Sequence, residues 1–309
     1  MTVSPITIHQ IWLQGVDKIP AKYKDDIKLI STLNPTYKHI LWSDKLFHEN
    51  ILNNSEYDKD FINGIKNFYS KLTLIHLKVD YMRYVILYLL GGIYLDMDIK
   101  VIKSFESLTQ LINEYDCILE ELEYSKIQSL IISGYPETLN NGIIITKSPG
   151  SFFLKQLLNS VNESIISHED QIKNAEERTH NSSLLICEIT GPKKFTTVYN
   201  GIPQSEKDKI YITKHKEFFC THNCNKIKDT TILKHRSDLT WFGNQYHSVI
   251  RFYISDNFQI TCGIIFGFMI IGIVLVSLLI ENYKIRVTFV VIFSLLLTAS
   301  LTGLIIKTI

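Results

Sequence analysis

Asp96 and Asp98 stand one residue apart after a glycine pair, in Gly91-Gly92-Ile-Tyr-Leu-Asp96-Met97-Asp98-Ile-Lys-Val-Ile102. The β-branched content predicts a strand over 93–102, and its period of two puts both carboxylates on one face. Carboxylates this close repel each other and are costly to desolvate; a hard divalent cation, Mn²⁺ or Mg²⁺, relieves both penalties. Aspartate pairs are common, and a strand end reaching solvent is the competing explanation for one viewed alone. Upstream, 70–90 repeats apolar residues at three- and four-residue spacing and stops at the glycines, which predicts a helix. His76, Asp80, Arg83 and Leu87 share one of its faces. By themselves Asp80 and Arg83 read as a surface ion pair worth under about 1 kcal/mol. Cys220-Thr-His-Asn-Cys224 offers a single C-x3-C where structural zinc needs four ligands, so a local disulfide or two free thiols is the simpler reading.

The elements that must position these groups are legible upstream. An Ile-rich run at 6–13 predicts a buried first strand, 23–33 an amphipathic helix ended by Asn34-Pro35, and 38–42 a second strand, with Ser43-Asp44 as a cap for the next element. This β-α-β opening implies an α/β domain containing parallel strands. The net charge of +1 provides no field to recruit nucleic acid.

Apolar residues collect at the C-terminal end. The stretches 258–280 and 287–306 are uncharged, spanning roughly 35 and 30 Å as helices, each enough for a bilayer. We therefore expect a body at 1–255 and a transmembrane hairpin at 256–309, making a multi-pass membrane protein. Met1–Gly15 has neither the basic segment nor the apolar run of a signal peptide. Lys284 and Arg286 favour a cytosolic connecting loop, which puts the body on the far side, as do the sequons at Asn53, Asn162 and Asn181. A large body without a signal points the other way, and the side stays open.

The string from Lys78 through Asp80, Arg83, Gly91-Gly92 and Asp96-Met97-Asp98 resembles the signature of the DXD-motif sugar transferases. That family includes fungal initiating outer-chain mannosyltransferases and catalytic subunits of mannosyl inositol phosphorylceramide synthase; the glucosylating domains of large bacterial toxins are more distant. Further likenesses occur in chain order: His9-Gln-Ile-Trp12, Asn34-Pro35 to Trp42-Ser-Asp44, Asn141-Gly142 with Ser148-Pro149-Gly150, Thr190-Gly191-Pro192, and more loosely His235 to Thr240-Trp241. Together they cover roughly residues 6–245.

This resemblance implies a GT-A-type nucleotide-sugar-binding fold, a sugar-nucleotide donor, Mn²⁺ or Mg²⁺, and retention of anomeric configuration. It places Asp96 and Asp98 beside the metal, with His235 as third ligand and Asp238 as a competitor. It gives Asp80, Arg83 and Asp96 to the donor's sugar and phosphates, Trp12 to the base, and Trp241 with Thr240 to the diphosphate. Mannose from GDP-mannose moved to a membrane lipid such as inositol phosphorylceramide is the activity expected, in a Golgi- or ER-type membrane, with room for a regulatory membrane subunit. The alternatives are a UDP-sugar with a protein or polysaccharide glycan as acceptor, a non-catalytic scaffold, and a phosphohydrolase. Intact Asp80, Arg83, Asp96 and Asp98 argue against the scaffold, and the lack of further clustered ligands near Asp98 argues against the hydrolase.

Overall fold

A computed structural model describes residues 6–122, 124, 126–214, 217–220, 228–236 and 238. All fall within one unit, Met1–Gly243. The expected membrane hairpin, the 255/256 boundary, Thr240 and Trp241 lie outside the described residues. Among the described residues no helix is long and apolar enough to cross a membrane.

Nine strands form two sheets among these residues: β1 (Thr7–Ile11), β2 (Lys38–Trp42), β3 (Gly92–Leu95), β4 (Ile99–Val101), β5 (Cys117–Glu121), β6 (Leu139–Thr146), β7 (Ile210–Thr213), β8 (Phe219–Cys220) and β9 (Leu233–His235). The larger sheet has the order β2-β1-β3-β6-β5-β7. Only β6 runs against its neighbours; the β1·β2, β1·β3 and β5·β7 pairs are parallel. Such a sheet is covered on both faces, so its strands are apolar throughout rather than alternating. On β3, Tyr94 packs into one core with helical Tyr84 and Leu87, while Ile93 and Leu95 pack into a second with Ile8, Phe105 and Ile118. The expected α/β class is what forms.

Early elements match the sequence reading closely. The first helix, α1, spans Ala21–Leu33, and Ser43 caps α2 (Asp44–Phe47) by accepting from the Leu46 N–H. The helix expected over 70–90 is instead two, α3 (Lys59–Lys71) and α4 (Ile75–Leu90), parted by Leu72 and Leu74 in extended conformations. Both leucines are buried in the same core, so the apolar period runs through the break unmarked. Thr73 Oγ1 donates to the Ile172 carbonyl at 2.6 Å and anchors that break.

The strand expected over 93–102 is also two. The chain leaves the large sheet after Leu95, turns through Asp96-Met97-Asp98 with the Ile99 N–H on the Asp96 carbonyl, and enters a smaller sheet of order β4-β9-β8. Met97, between the aspartates, is buried against Ile19, Tyr23 and Trp12. The two carboxylates therefore approach through a turn, not through strand alternation. Cys220, at the end of β8, is disulfide-bonded, which agrees with the disulfide reading of that thiol. Asn162 and Asn181 sit within helices at Phe152–Ser167 and His180–Ile189, with their sequon hydroxyls on Ser164 and Ser183 buried.

Gly92 has φ +101°, and a Cβ there would collide with the Thr7 carbonyl of the neighbouring β1. Both penalties act at once, so Gly92→Ala is expected to lower the unfolding free energy by at least about 2 kcal/mol in urea titration. Gly64→Ala, inside α3 with nothing within 4 Å, should be neutral or stabilising by up to about 1 kcal/mol.

Candidate functional site

β1 carries its motif for structural reasons that end at the aspartates. Burial takes the His9 imidazole down to about 4, so it is neutral; Trp42 Nε1 donates to Nδ1 at 3.0 Å, leaving Nε2–H to donate to the Gly91 carbonyl at 3.0 Å. Gln10 reaches the Asp96 carbonyl through Nε2 at 3.2 Å and accepts from His39 Nε2 at 3.1 Å. Trp12 comes next, beside the Asp-x-Asp turn. Its ring rests on Tyr23 at 5.9 Å, and its buried indole N–H has no hydrogen-bond partner among the described residues.

From the other side, α4 delivers Asp80 and Arg83. They are 5% and 4% exposed, so the surface-pair reading does not hold. Arg83 Nη2 meets Asp80 Oδ1 at 2.7 Å and Asp96 Oδ1 at 3.2 Å, and Nη1 donates to the Asn141 carbonyl at 2.7 Å. The guanidinium also lies 4.5 Å from the Tyr94 ring centre, and Tyr94 OH donates to Asp96 Oδ1 at 2.7 Å. Asp80 is held in turn by Thr190 Oγ1 at 2.7 Å and Asn141 Nδ2 at 3.3 Å. A buried ion pair of this sort is stable only when its remaining hydrogen-bonding positions are filled, and Thr190, Asn141 and Tyr94 fill several of them.

The smaller sheet supplies the third arm. His235 on β9 pairs in register with Ile99, and its Nε2 lies 3.0 Å from Asp98 Oδ1. The Asp238 N–H donates to Asp98 Oδ2 at 3.0 Å. The Asp238 carboxylate itself turns away, to Lys22 Nζ at 2.6 Å and Tyr23 OH at 2.7 Å, so it does not compete for the position it was expected to contest. Arg236 completes this clamp by pairing with Asp26 of α1.

One ligand atom each from Asp96, Asp98 and His235 lies within 4.8 Å of the others. Two carboxylate oxygens and an imidazole nitrogen are a donor set that suits Mn²⁺ or Mg²⁺. Burial raises the Asp96 carboxyl above its ordinary range, with Asp98 adding repulsion and Arg83 opposing. Burial also works against Asp98 and His235 as ions, yet their mutual attraction wins. Asp98 falls to about 2 and His235 rises to about 9. The structure thus brings Asp80, Arg83, Asp96, Asp98 and His235 together, with Trp12 alongside. Tyr94, Gln10, Thr190, Asn141 and Gly142 belong to the same network and were not singled out as site residues. All five had a signal, since Gln10, Tyr94, Asn141-Gly142 and Thr190 sit in stretches that carried the resemblance.

Residues 20–117 match the family described as a glycosyltransferase sugar-binding region containing a DXD motif. The resemblance read from the string at 78–98 is thereby borne out over this segment, which holds Asp80, Arg83, Asp96 and Asp98 but neither Trp12 nor His235. Over 94 residues the chain is 33% identical to an uncharacterized glycosyltransferase of Acanthamoeba polyphaga mimivirus, covering 30% of this chain and 35% of that protein. Over 104 residues it is 31% identical to inositol phosphoceramide mannosyltransferase 3 of Schizosaccharomyces pombe, covering 34% of this chain and 27% of that one. The match spans about a third or less of those relatives' length. Among solved structures, the PaToxG glycosyltransferase aligns at 18% identity with a TM-score of 0.44, over 66% of this chain and 72% of that one.

The Asp98–His235 pair gives stability a defined pH window in metal-free protein. His235, raised from 6.5 to about 9, contributes fully below pH 6.5, and its contribution fades as pH climbs through 9. Asp98, lowered from 3.8 to about 2, contributes above pH 3.8 and fails as pH falls through 2. In chelator, the unfolding free energy is expected to decline by about 1–3 kcal/mol between pH 6.5 and 9. His235→Ala should flatten that limb in parallel denaturation curves.

Proposed function

We propose that the chain is a retaining, metal-dependent glycosyltransferase that moves a sugar from a nucleotide donor, with mannose from GDP-mannose as donor and a membrane lipid such as inositol phosphorylceramide as acceptor. The observation that carries the reading is the convergence of Asp96, Asp98 and His235 within 4.8 Å, with both aspartates on the segment that matches a DXD-type sugar-binding region and His235 brought in from β9. A hard divalent cation bound there, Mn²⁺ or Mg²⁺, would neutralise charge on the departing nucleoside diphosphate as a Lewis acid. The mannose and lipid assignments draw on the Schizosaccharomyces pombe relative's activity and on the two apolar stretches at 258–280 and 287–306, which would hold the body at a Golgi- or ER-type membrane.

The chain's own contribution is preorganisation. Asp98 is kept ionised by His235 and by the Asp238 N–H, and a cation binding there would displace the proton that His235 holds, so metal affinity should rise with pH toward 9. Asp96 is held by Arg83, Tyr94 and two backbone contacts, Gln10 to its carbonyl and its own N–H to the Gly142 carbonyl. Groups fixed before reaction need no reorganisation as charge develops, and so stabilise a transition state more than mobile ones do. Trp12, whose indole N–H has no partner among the described residues, borders the same turn and offers a face and a donor to the nucleotide.

The test is turnover of a panel of GDP- and UDP-sugars by full-length protein in detergent with Mn²⁺. We expect GDP-mannose to be consumed, and chelator to stop the reaction. Asp98→Asn and Asp96→Asn should each lower turnover at least about a hundredfold while the protein stays folded by circular dichroism, with the thermal midpoint lowered by a few degrees as the ion pair is lost. Wild-type rates in both variants would defeat the assignment, and consumption of a UDP-sugar alone would replace the donor.

A further inference from the structure

The ladder between β5 and β6 skips at the site. Leu119 faces Ile144, but the next residue, Glu120, faces Asn140, so Asn141, Gly142 and Ile143 have no opposite number on β5. This bulge delivers three contacts to Asp96, Arg83 and Asp80. The Gly142 carbonyl accepts from the Asp96 N–H at 2.9 Å, the Asn141 carbonyl accepts from Arg83 at 2.7 Å, and the Asn141 amide donates to Asp80 at 3.3 Å. Gly142 also gives the Asp96 carboxylate its space, since a Cβ there would come within 2.5 Å of Oδ2.

A bulge leaves backbone groups unpaired, and buried ones must be satisfied elsewhere. Asn140 does this for the Gly142 N–H, and both ends of its amide are engaged. Its Oδ1 accepts from the Gly142 N–H at 2.8 Å, and its Nδ2 donates to Glu120 Oε2 at 2.7 Å. Glu120 is 3% exposed, and an ionised carboxylate there can only accept. The amide is therefore barred from flipping, because a turned Asn140 would set oxygen against oxygen on one side and N–H against N–H on the other. A charged acceptor makes this a strong bond.

We propose that Glu120 and Asn140 are positioning residues: together they staple the β6 bulge so that Asn141 and Gly142 hold Arg83 and Asp96 in place for the metal and donor. The proposal rests on the transferase reading but has readouts independent of turnover. In wild-type protein the Gly142 amide should be among the protected ones in hydrogen exchange, and Glu120→Ala and Asn140→Ala should speed its exchange. The same two variants should weaken Mn²⁺ binding, measured by calorimetry, and lower kcat, each by about 10–100-fold. Glu120→Gln keeps an acceptor for Asn140 Nδ2 and is expected to recover both to within about fivefold of wild type. A Gly142 amide that exchanges like an open loop in the wild-type protein would overturn the proposal without any variant. So would Glu120→Ala that binds Mn²⁺ like wild type, or Glu120→Gln as damaged as Glu120→Ala. Should the wild-type protein turn over no sugar nucleotide, the transferase reading falls, and amide exchange with metal affinity decides the staple.

Discussion

Arg83 brings a full positive charge beneath the Asp96–Asp98 turn, where it meets Asp80 at 2.7 Å, Asp96 at 3.2 Å and the Asn141 carbonyl at 2.7 Å. Three separate parts of the fold thus converge on one guanidinium: α4, the turn after β3, and the bulge of β6. Removing that charge would leave the buried Asp80 carboxylate and the half-buried Asp96 carboxylate without their shared cation, and breaking a buried pair in this way is strongly destabilising. The planar fork explains why the residue is arginine. A lysine ammonium could not present one nitrogen to two carboxylates and another to a carbonyl while stacking on Tyr94. The fold around it can be understood as whatever is needed to keep this cation buried with both terminal nitrogens engaged, its Nε–H having no partner among the described residues.

The turn sits where parallel strands end. β1 runs out toward Trp12, β3 into Asp96, and β5 into Glu120, so the site occupies the crevice beyond the carboxyl ends, the usual ligand position in open α/β sheets. β6 enters antiparallel between β3 and β5, which lets its first residues, rather than its last, face the same crevice. The smaller sheet then brings His235 alongside Asp98 from the far end of the described chain.

Local signals made the opening elements legible: the first two strands, α1 and the Ser43 cap come from apolar runs, Asn34-Pro35 and a hydroxyl before a helix. The Asp-x-Asp pair was also legible as a pair, though not its geometry. The two aspartates are themselves turn formers, but the β-branched runs on either side, Ile-Tyr-Leu and Ile-Lys-Val, made the stretch read as one continuous strand. The break between α3 and α4 hid in a similar way, its buried leucines continuing the apolar period. Asp80 and Arg83 could be placed on one helix face, but whether that face meets water or Asp96 depends on Asn141 and Thr190, 58 and 110 positions away from the side chains they hold. Glu120 and Asn140 left no trace, since a bulge is a fact about two strands at once. His235 was reachable through the resemblance alone.

The donors are contributed by widely separated stretches, and this has a consequence in time. Asp238, whose N–H steadies Asp98, lies 140 residues beyond it. At roughly 5–20 residues per second of synthesis, the aspartates would wait about 7–28 seconds on the ribosome before that segment is made. During this interval α4, β3 and the turn can pack, with Arg83 already balancing Asp96, while Asp98 still lacks its imidazole. A half-made chain therefore presents an incomplete coordination shell to any free cation. In the proposed metal site, completion comes only when β9 docks, so capacity to hold the ion would report that the chain has been synthesised and folded through β9.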